Sequence, residues 1–206
     1  KRHNAKFFLA STSEIYGDPE VSPQSENYWG NVNTLGPRSM YDESKRFAES
    51  AVHAYVQTHG ITGNIARIFN TYGPNMQIND GRVVTNFIYQ ALQGKDITIY
   101  GTGEQTRSFS YIEDTVNGIL KIMTNSTSDV FNIGNDNEIS IKYLAEKILE
   151  LTNSNSNIIY KDLPKDDPKQ RKPDLTKIKN KFNYEPMFSL EEGLKITINW
   201  VKENYK

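Results

Sequence analysis

The chain contains no cysteine, which excludes disulfides and thiolate metal sites. Its three histidines, His3, His53 and His59, stand at no metal-ligand spacing and read as surface residues, so no metal is expected. It lacks any apolar run near the ~18 residues that a membrane-crossing helix needs. It also lacks an excess of one charge: 24 basic side chains face 25 acidic ones, with no long block of either sign. That balance points to neither a nucleic-acid nor a membrane surface as partner. What is present is ordinary for a folded protein. With 206 residues, 36% hydrophobic and 24% charged, the chain can bury one good-sized core, or one domain and a half.

The hydrophobic pattern alternates between strand and helix. "KFFLAS" (6–11) is a short apolar run with polar flanks and reads as a buried strand. Residues 18–40 read as a long irregular loop, a length usually kept for function. From Tyr41 to His59, the residues Phe47, Ala48, Ala51, Val52, Tyr55 and Val56 fall on one helical face, and Gly60 ends the helix. "GNIARIFN" (63–70) is strand-like, which completes an α/β crossover unit. After a loop at 71–81 come a helix at 83–92, strands in "DITIYG" and "RSFSYI", and a helix at 113–124. A strand in "DVFNIG" and a helix at 140–152 follow. The strand "IIY" then leads into the charged loop "KDLPKDDPKQRKPDL", a short helix near 175–182 and a last helix at 190–204. Ser189 and Glu192 have the spacing of a capping box for that last helix.

Two stretches carry chemistry. In "YDESK", Tyr41 and Lys45 stand four residues apart near a helix start, which puts both on one face. A free phenol is a weak base at neutral pH, and a neighbouring ammonium favours its phenolate. Such a pair can exchange a proton with a substrate hydroxyl. "FLASTSEIYG" ends an apolar run with Thr12, Ser13 and Glu14 side by side, two hydroxyls and a carboxylate at a strand end. One decoy is set aside. "GTGEQT" (101–106) begins like a dinucleotide loop, but it leads into a strand instead of opening a helix, so it reads as a tight turn.

The order of these words is more specific than either alone. "STSEIYGDP", "YWGNVN", "GPRSMYDESKRFAE", "ARIFNTYGP", "NDGRVV", "YGTGEQTRSFSYIED" and "QRKPD" together resemble the extended short-chain dehydrogenase/reductases, and within them the UDP-glucuronate decarboxylases. The resemblance runs from Phe7 to the final helix. It implies an α/β fold: the C-terminal portion of a Rossmann-like parallel sheet plus a smaller α/β substrate-binding domain. Residues 1–81 would belong mainly to the first and 82–206 mainly to the second. It implies NAD as cofactor, a UDP-sugar as substrate and a homodimer through a helical bundle, for which helices 41–59 and 83–92 are candidates. The implied reaction is oxidation at C4 of the glucuronate, loss of CO2 from the resulting β-keto acid, and reduction to UDP-xylose.

The resemblance also assigns residues. Tyr41, Lys45, Thr12, Ser13 and Glu14 fall at the catalytic positions. Thr12, Tyr41 and Lys45, with Thr71 and Arg82, fall near the cofactor, and Asn70, Arg107, Arg171 and Tyr100 near the sugar nucleotide. Related 4,6-dehydratases carry an aspartic acid where this chain has Ser13, so a dehydratase would lack its general acid. A 4-epimerase of a nucleotide sugar is the other enzymatic alternative, and a non-catalytic nucleotide-sugar-binding or subunit-pairing module the alternative of another class. The glycine fingerprint of the family's first βα unit is absent, and the chain opens at Lys1 almost directly into a strand. The resemblance therefore implies a start near the fifth sheet strand, a preceding segment in the parent protein, and weak NAD binding without turnover by this piece alone. Bacterial members are cytoplasmic, which is the expected location; the alternative is the Golgi lumen behind an N-terminal anchor.

Overall fold

In the computed structural model, which describes residues 2–78 and 80–205, β1 (Phe7–Thr12) and β2 (Gly63–Ile68) pair in parallel, Phe7 opposite Gly63 and Thr12 opposite Ile68. Parallel neighbours need a crossover, and α1 (Ser39–His59) supplies it. β7 (Val130–Ile133) pairs in parallel with the other edge of β2, giving the order β1-β2-β7. Successive β2 residues face opposite sides. Gly63 lies against Val52 and Val56 of α1. Its neighbour Asn64 bonds the Ile122 carbonyl of α3 (Ile112–Thr124). Helices thus cover both faces, as a parallel sheet requires. Ala66, Ile122, Phe131, Ile133 and Tyr184, with Ile178 of α5 (Thr176–Phe182), form one core.

A second core lies around α2 (Val83–Leu92), β4 (Ile97–Tyr100), α4 (Ile141–Thr152) and α6 (Leu190–Asn204). Val84, Phe87, Ile88, Ile97, Ile99, Leu144, Ile148, Leu194 and Ile198 meet there. β9 (Ile158–Lys161) pairs in parallel with β4. Ser189 and Glu192 form the expected capping box at the start of α6. Among the described residues no helix is long and apolar enough to cross a membrane.

Several elements depart from the sequence expectation for physical reasons. β1 is buried only at its end, at Ser11 and Thr12, while Phe7 and Ala10 are exposed. Among the described residues it has a partner on one side only. Of the six apolar residues assigned to one face of α1, only Val52 is buried, and Phe47 is 75% exposed. Val52 and Val56 turn to the sheet, whereas Phe47 and Tyr55, eight residues apart, form an outward stripe. α2, the other helix named for a dimer contact, has no fully exposed residue and is partly covered by the second core. "RSFSYI" is not one strand. β5 (Thr106–Ser108) pairs with β8 (Glu138–Ser140) and with β10 (Gln170–Arg171). β6 (Ser110–Tyr111) pairs instead with β3 (Thr71–Tyr72), and Phe109 between them enters the second core. "GTGEQT" is the tight turn expected, with Gly101 and Gly103 at positive φ.

Leu144 is fully buried in the second core. Leu144→Ala is expected to lower the unfolding free energy by about 2–5 kcal/mol, read as a lower urea midpoint at unchanged slope.

Candidate active site

In parallel α/β sheets ligands bind beyond the carboxyl ends of the strands. Here a pocket of about 800 Å³ opens at the ends of β1 and β2 and reaches the second core. All eleven site residues named from the sequence line it.

The strand-end hydroxyls are set by a 3-10 turn, Ser13–Tyr16. Thr12 is its N-cap, and the Thr12 Oγ1 accepts the Glu14 N–H at 3.2 Å. Accepting there leaves the Thr12 O–H proton free to be donated into the pocket. Ser13 is buried on the same wall. From α1, Lys45 Nζ donates to the Ala10 carbonyl at 2.9 Å and stands 5.8 Å from the Tyr41 ring centroid. The ammonium is thereby fixed between the strand end and the phenol, and the half-exposed Tyr41 lines the same pocket as Thr12.

Glu14 is the most constrained group of the site. Arg38 bonds one of its oxygens and Arg171 the other. Burial pushes the Glu14 carboxyl up, but the two guanidiniums outweigh it and hold it below the ordinary carboxylate value. Arg171 is 2% exposed and also donates to the Gly17 carbonyl at 3.0 Å. It pairs in register with Arg107 across β10 and β5, so both guanidiniums share one sheet face. Arg107 donates to the Thr106 carbonyl at 2.8 Å and to Asp167 at 3.0 Å. Burial pulls the Arg107 pKa down, with Asp167 opposing.

A second network sets the height of α1 over the sheet. Glu49, one turn beyond Lys45, accepts from Ser11 Oγ and from Arg67 Nη2, at 2.5 and 2.7 Å. Arg67 also donates to the Tyr16 hydroxyl at 3.0 Å, and Tyr16 to Asn132 Oδ1 at 2.8 Å. Burial, opposed by Arg67, pushes the Tyr16 hydroxyl up to about 12. Helix, β1, β2 and β7 are thus linked directly behind Thr12 and Lys45.

The remaining candidates sit further out. Asn70 Oδ1 is buried without a hydrogen-bond partner among the described residues. The Thr71 hydroxyl is engaged by the Phe69 carbonyl and by Thr115. Arg82, the N-cap residue of α2, is exposed at the rim and pairs with Asp80 at 3.2 Å. Tyr100 is half exposed at the end of β4. The sequence reading missed Arg38 and Asp42 as site residues. Their signal was present: Arg38, Tyr41, Asp42 and Lys45 are spaced to share one helical face. Asp167 had none, because its partner Arg107 lies 60 residues earlier.

Fold and site together define an α/β protein with a Rossmann-like parallel sheet and a cation-lined pocket at its strand ends. The chain belongs to the GDP-mannose 4,6 dehydratase family, whose model matches residues 1–197. It is 52% identical over 203 residues to UDP-glucuronic acid decarboxylase 1 of Xenopus tropicalis, covering 98% of this chain and 48% of the relative. It is 52% identical over 194 residues to UDP-glucuronic acid decarboxylase 5 of Arabidopsis thaliana, covering 94% of this chain and 57% of the relative. The chain thus spans about half the length of these relatives. Among solved structures it resembles a Thermotoga maritima UDP-glucose 4-epimerase with UDP-glucose: TM-score 0.91, 30% identity, 98% of this chain and 64% of that one. It also resembles a Bacillus cereus UDP-glucuronic acid 4-epimerase in complex with UDP-glucuronic acid and NAD: TM-score 0.88, 28% identity, 97% and 62% covered.

Because the folded Glu14 carboxyl titrates below its ordinary value of 4.5, its ionised form stabilises the fold above that value. That stabilisation is lost as pH falls through the folded value. Glu14→Gln is expected to flatten the acid side of the stability profile, measured by urea unfolding between about pH 3 and 7.

Proposed function

We propose that the protein containing this chain converts UDP-glucuronate to UDP-xylose with bound NAD. The observation that carries the reading is the Glu14 carboxylate, held ionised by Arg38 and Arg171 beside Thr12 and Tyr41, with a hydroxyl at Ser13. That arrangement gives a site for a C4 hydroxyl and an acidic C5 substituent, and no carboxylic acid at Ser13 to expel water. The likeness to decarboxylases over nearly the whole chain supports it.

The pocket's position at the carboxyl ends of β1 and β2, with Tyr41 and Lys45 on its wall, fits the nicotinamide end of NAD. NAD held there would supply a hydride acceptor for C4 and, reduced, the hydride for the return step. Tyr41 takes the C4 hydroxyl proton and gives it back. The free Thr12 O–H donates to the same oxygen and holds it as its charge changes. Lys45, tethered to Ala10, keeps its ammonium beside the phenol and would hold the cofactor ribose there. Thr71 and Arg82 border the cofactor side. The adjacent guanidiniums of Arg107 and Arg171 suit a diphosphate or a carboxylate. Asn70 and Tyr100 bound the nucleotide side.

We read the β1-β2-β7 layer, residues 1–81 with the returning α3, β7 and α5, as the cofactor part, and most of 82–206 as the sugar-nucleotide part. The exposed Phe47 and Tyr55 stripe of α1 is our candidate for a homodimer contact. By resemblance we place the protein in the cytoplasm, with the Golgi lumen as the alternative.

The test is the full-length protein with UDP-glucuronate and NAD, following CO2 and product mass. CO2 release and UDP-xylose are expected, with Tyr41→Phe lowering turnover about 100-fold or more. No CO2 from a protein that binds NAD would return the reading to a dehydratase or epimerase. Phe47→Asp is expected to shift the sedimentation coefficient from dimer to monomer; an unchanged value would reject α1 as the contact.

A further inference from the structure

Behind the pocket lies a second cavity of about 260 Å³. Glu14, Arg38 and Arg171 line both spaces and form the wall between them. The far side of the cavity is polar, with Asp18 and Asn33 from the long loop, Asp166 from the charged loop, and Asp42 from α1. Asp42 is 5% exposed, and its Oδ1 has no hydrogen-bond partner among the described residues. A buried carboxyl oxygen without a partner calls for water or a proton. A cavity of this size holds several waters at roughly 30 Å³ each.

The charges facing Asp42 come from several elements: Glu14 on the 3-10 turn, Arg38 before α1, Arg171 on β10, and Glu43 on its own helix. Asp18 and Asp166 border the same space. Burial, and then the Glu14 charge, push the Asp42 carboxyl up, against Arg38 and Arg171. Glu14 is held down. Two carboxyls on one chamber are therefore driven apart, one toward keeping its proton and the other toward ionisation.

The proposed reaction, on which this inference rests, needs such a group. When the bond from C5 to the carboxylate breaks, CO2 leaves and the electron pair stays on the sugar as an enolate. C5 must then take a proton. Tyr41 is no net source, since the proton it removes from the C4 hydroxyl returns to the C4 oxygen. Each turnover therefore consumes one proton from solvent while the nucleotide sugar fills the pocket. We propose that the rear cavity is the water-filled inlet for that proton. Asp42 passes its proton through cavity water to Glu14, which, held toward ionisation by its two arginines, carries it only transiently and yields it to C5, and Asp42 recovers a proton from the cavity water.

The test uses the full-length protein and UDP-glucuronate. Asp42→Asn keeps the shape and removes the exchangeable carboxyl proton. kcat is expected to fall about 10- to 100-fold with KM unchanged, and the ratio of kcat in H2O to that in D2O to rise. The limb on which kcat falls with rising pH, set by Asp42 losing its proton, disappears. Asp42→Glu restores part of kcat. An Asp42→Asn protein with wild-type kcat overturns the inlet. So does one that loses kcat with pH profile and isotope ratio unmoved. A wild-type protein that releases no CO2 overturns the decarboxylase reading and the inlet with it. Release of CO2 with Asp42→Asn indifferent overturns the inlet alone.

Discussion

The site depends on one ionic junction, the Glu14 carboxylate between Arg38 and Arg171. It joins three pieces of chain: the turn after β1, the entry to α1, and the two-residue strand β10 near the end of the charged loop. A buried arginine is costly unless it is paired and bonded. Arg171 meets most of that demand through Glu14 and the Gly17 carbonyl, both in the 3-10 turn region, while its Nε is left without a partner among the described residues. The charged loop is therefore anchored at the strand end, and Arg107 arrives beside it through strand pairing. Substrate groups would meet a wall whose charges are already neutralised and fixed.

Behind that junction the Glu49–Arg67 pair plays a different part. It shares no wall with the pocket but ties α1 to the strands that carry Thr12. Tyr41 and Lys45 belong to the helix, Thr12 to the sheet, and the distance across the pocket is set by how these layers lock. The proposed proton exchange between Tyr41, Thr12 and a substrate hydroxyl would need that distance held to a fraction of an ångström. The two cores divide the work: the β1-β2-β7 layer holds Tyr41, Lys45 and Thr12, and the second carries Arg82 and Tyr100 on its α2 and β4.

Much of this was legible in the sequence. The Tyr41–Lys45 spacing, the strand-end Thr12 and the "QRKPD" word carried the site, and period and caps placed all six helices to within a few residues. The failures share a cause. β3, β6, β8 and β10 are two or three residues long, too short for any alternation to register, and each exists only through a distant partner. The face of α1 was misjudged because apolar residues alone do not say which way they turn. Gly63 opposite Val52 and Val56 decides that, and Phe47 is left outside. Asp42 escaped notice because its meaning lies in a cavity, which no local pattern records.

The register that sets Arg107 directly across from Arg171 has a thermodynamic side. Like charges on facing residues of adjacent strands oppose pairing, and Asp167 and Glu14 offset that repulsion here. A polyanion that entered the pocket would add to the offset that Asp167 and Glu14 already provide. Its binding free energy and the cohesion of β5 with β10 would then be linked, shared between ligand and fold. Occupancy would then favour the paired β5 and β10, and the empty protein would be the one that opens first there on heating.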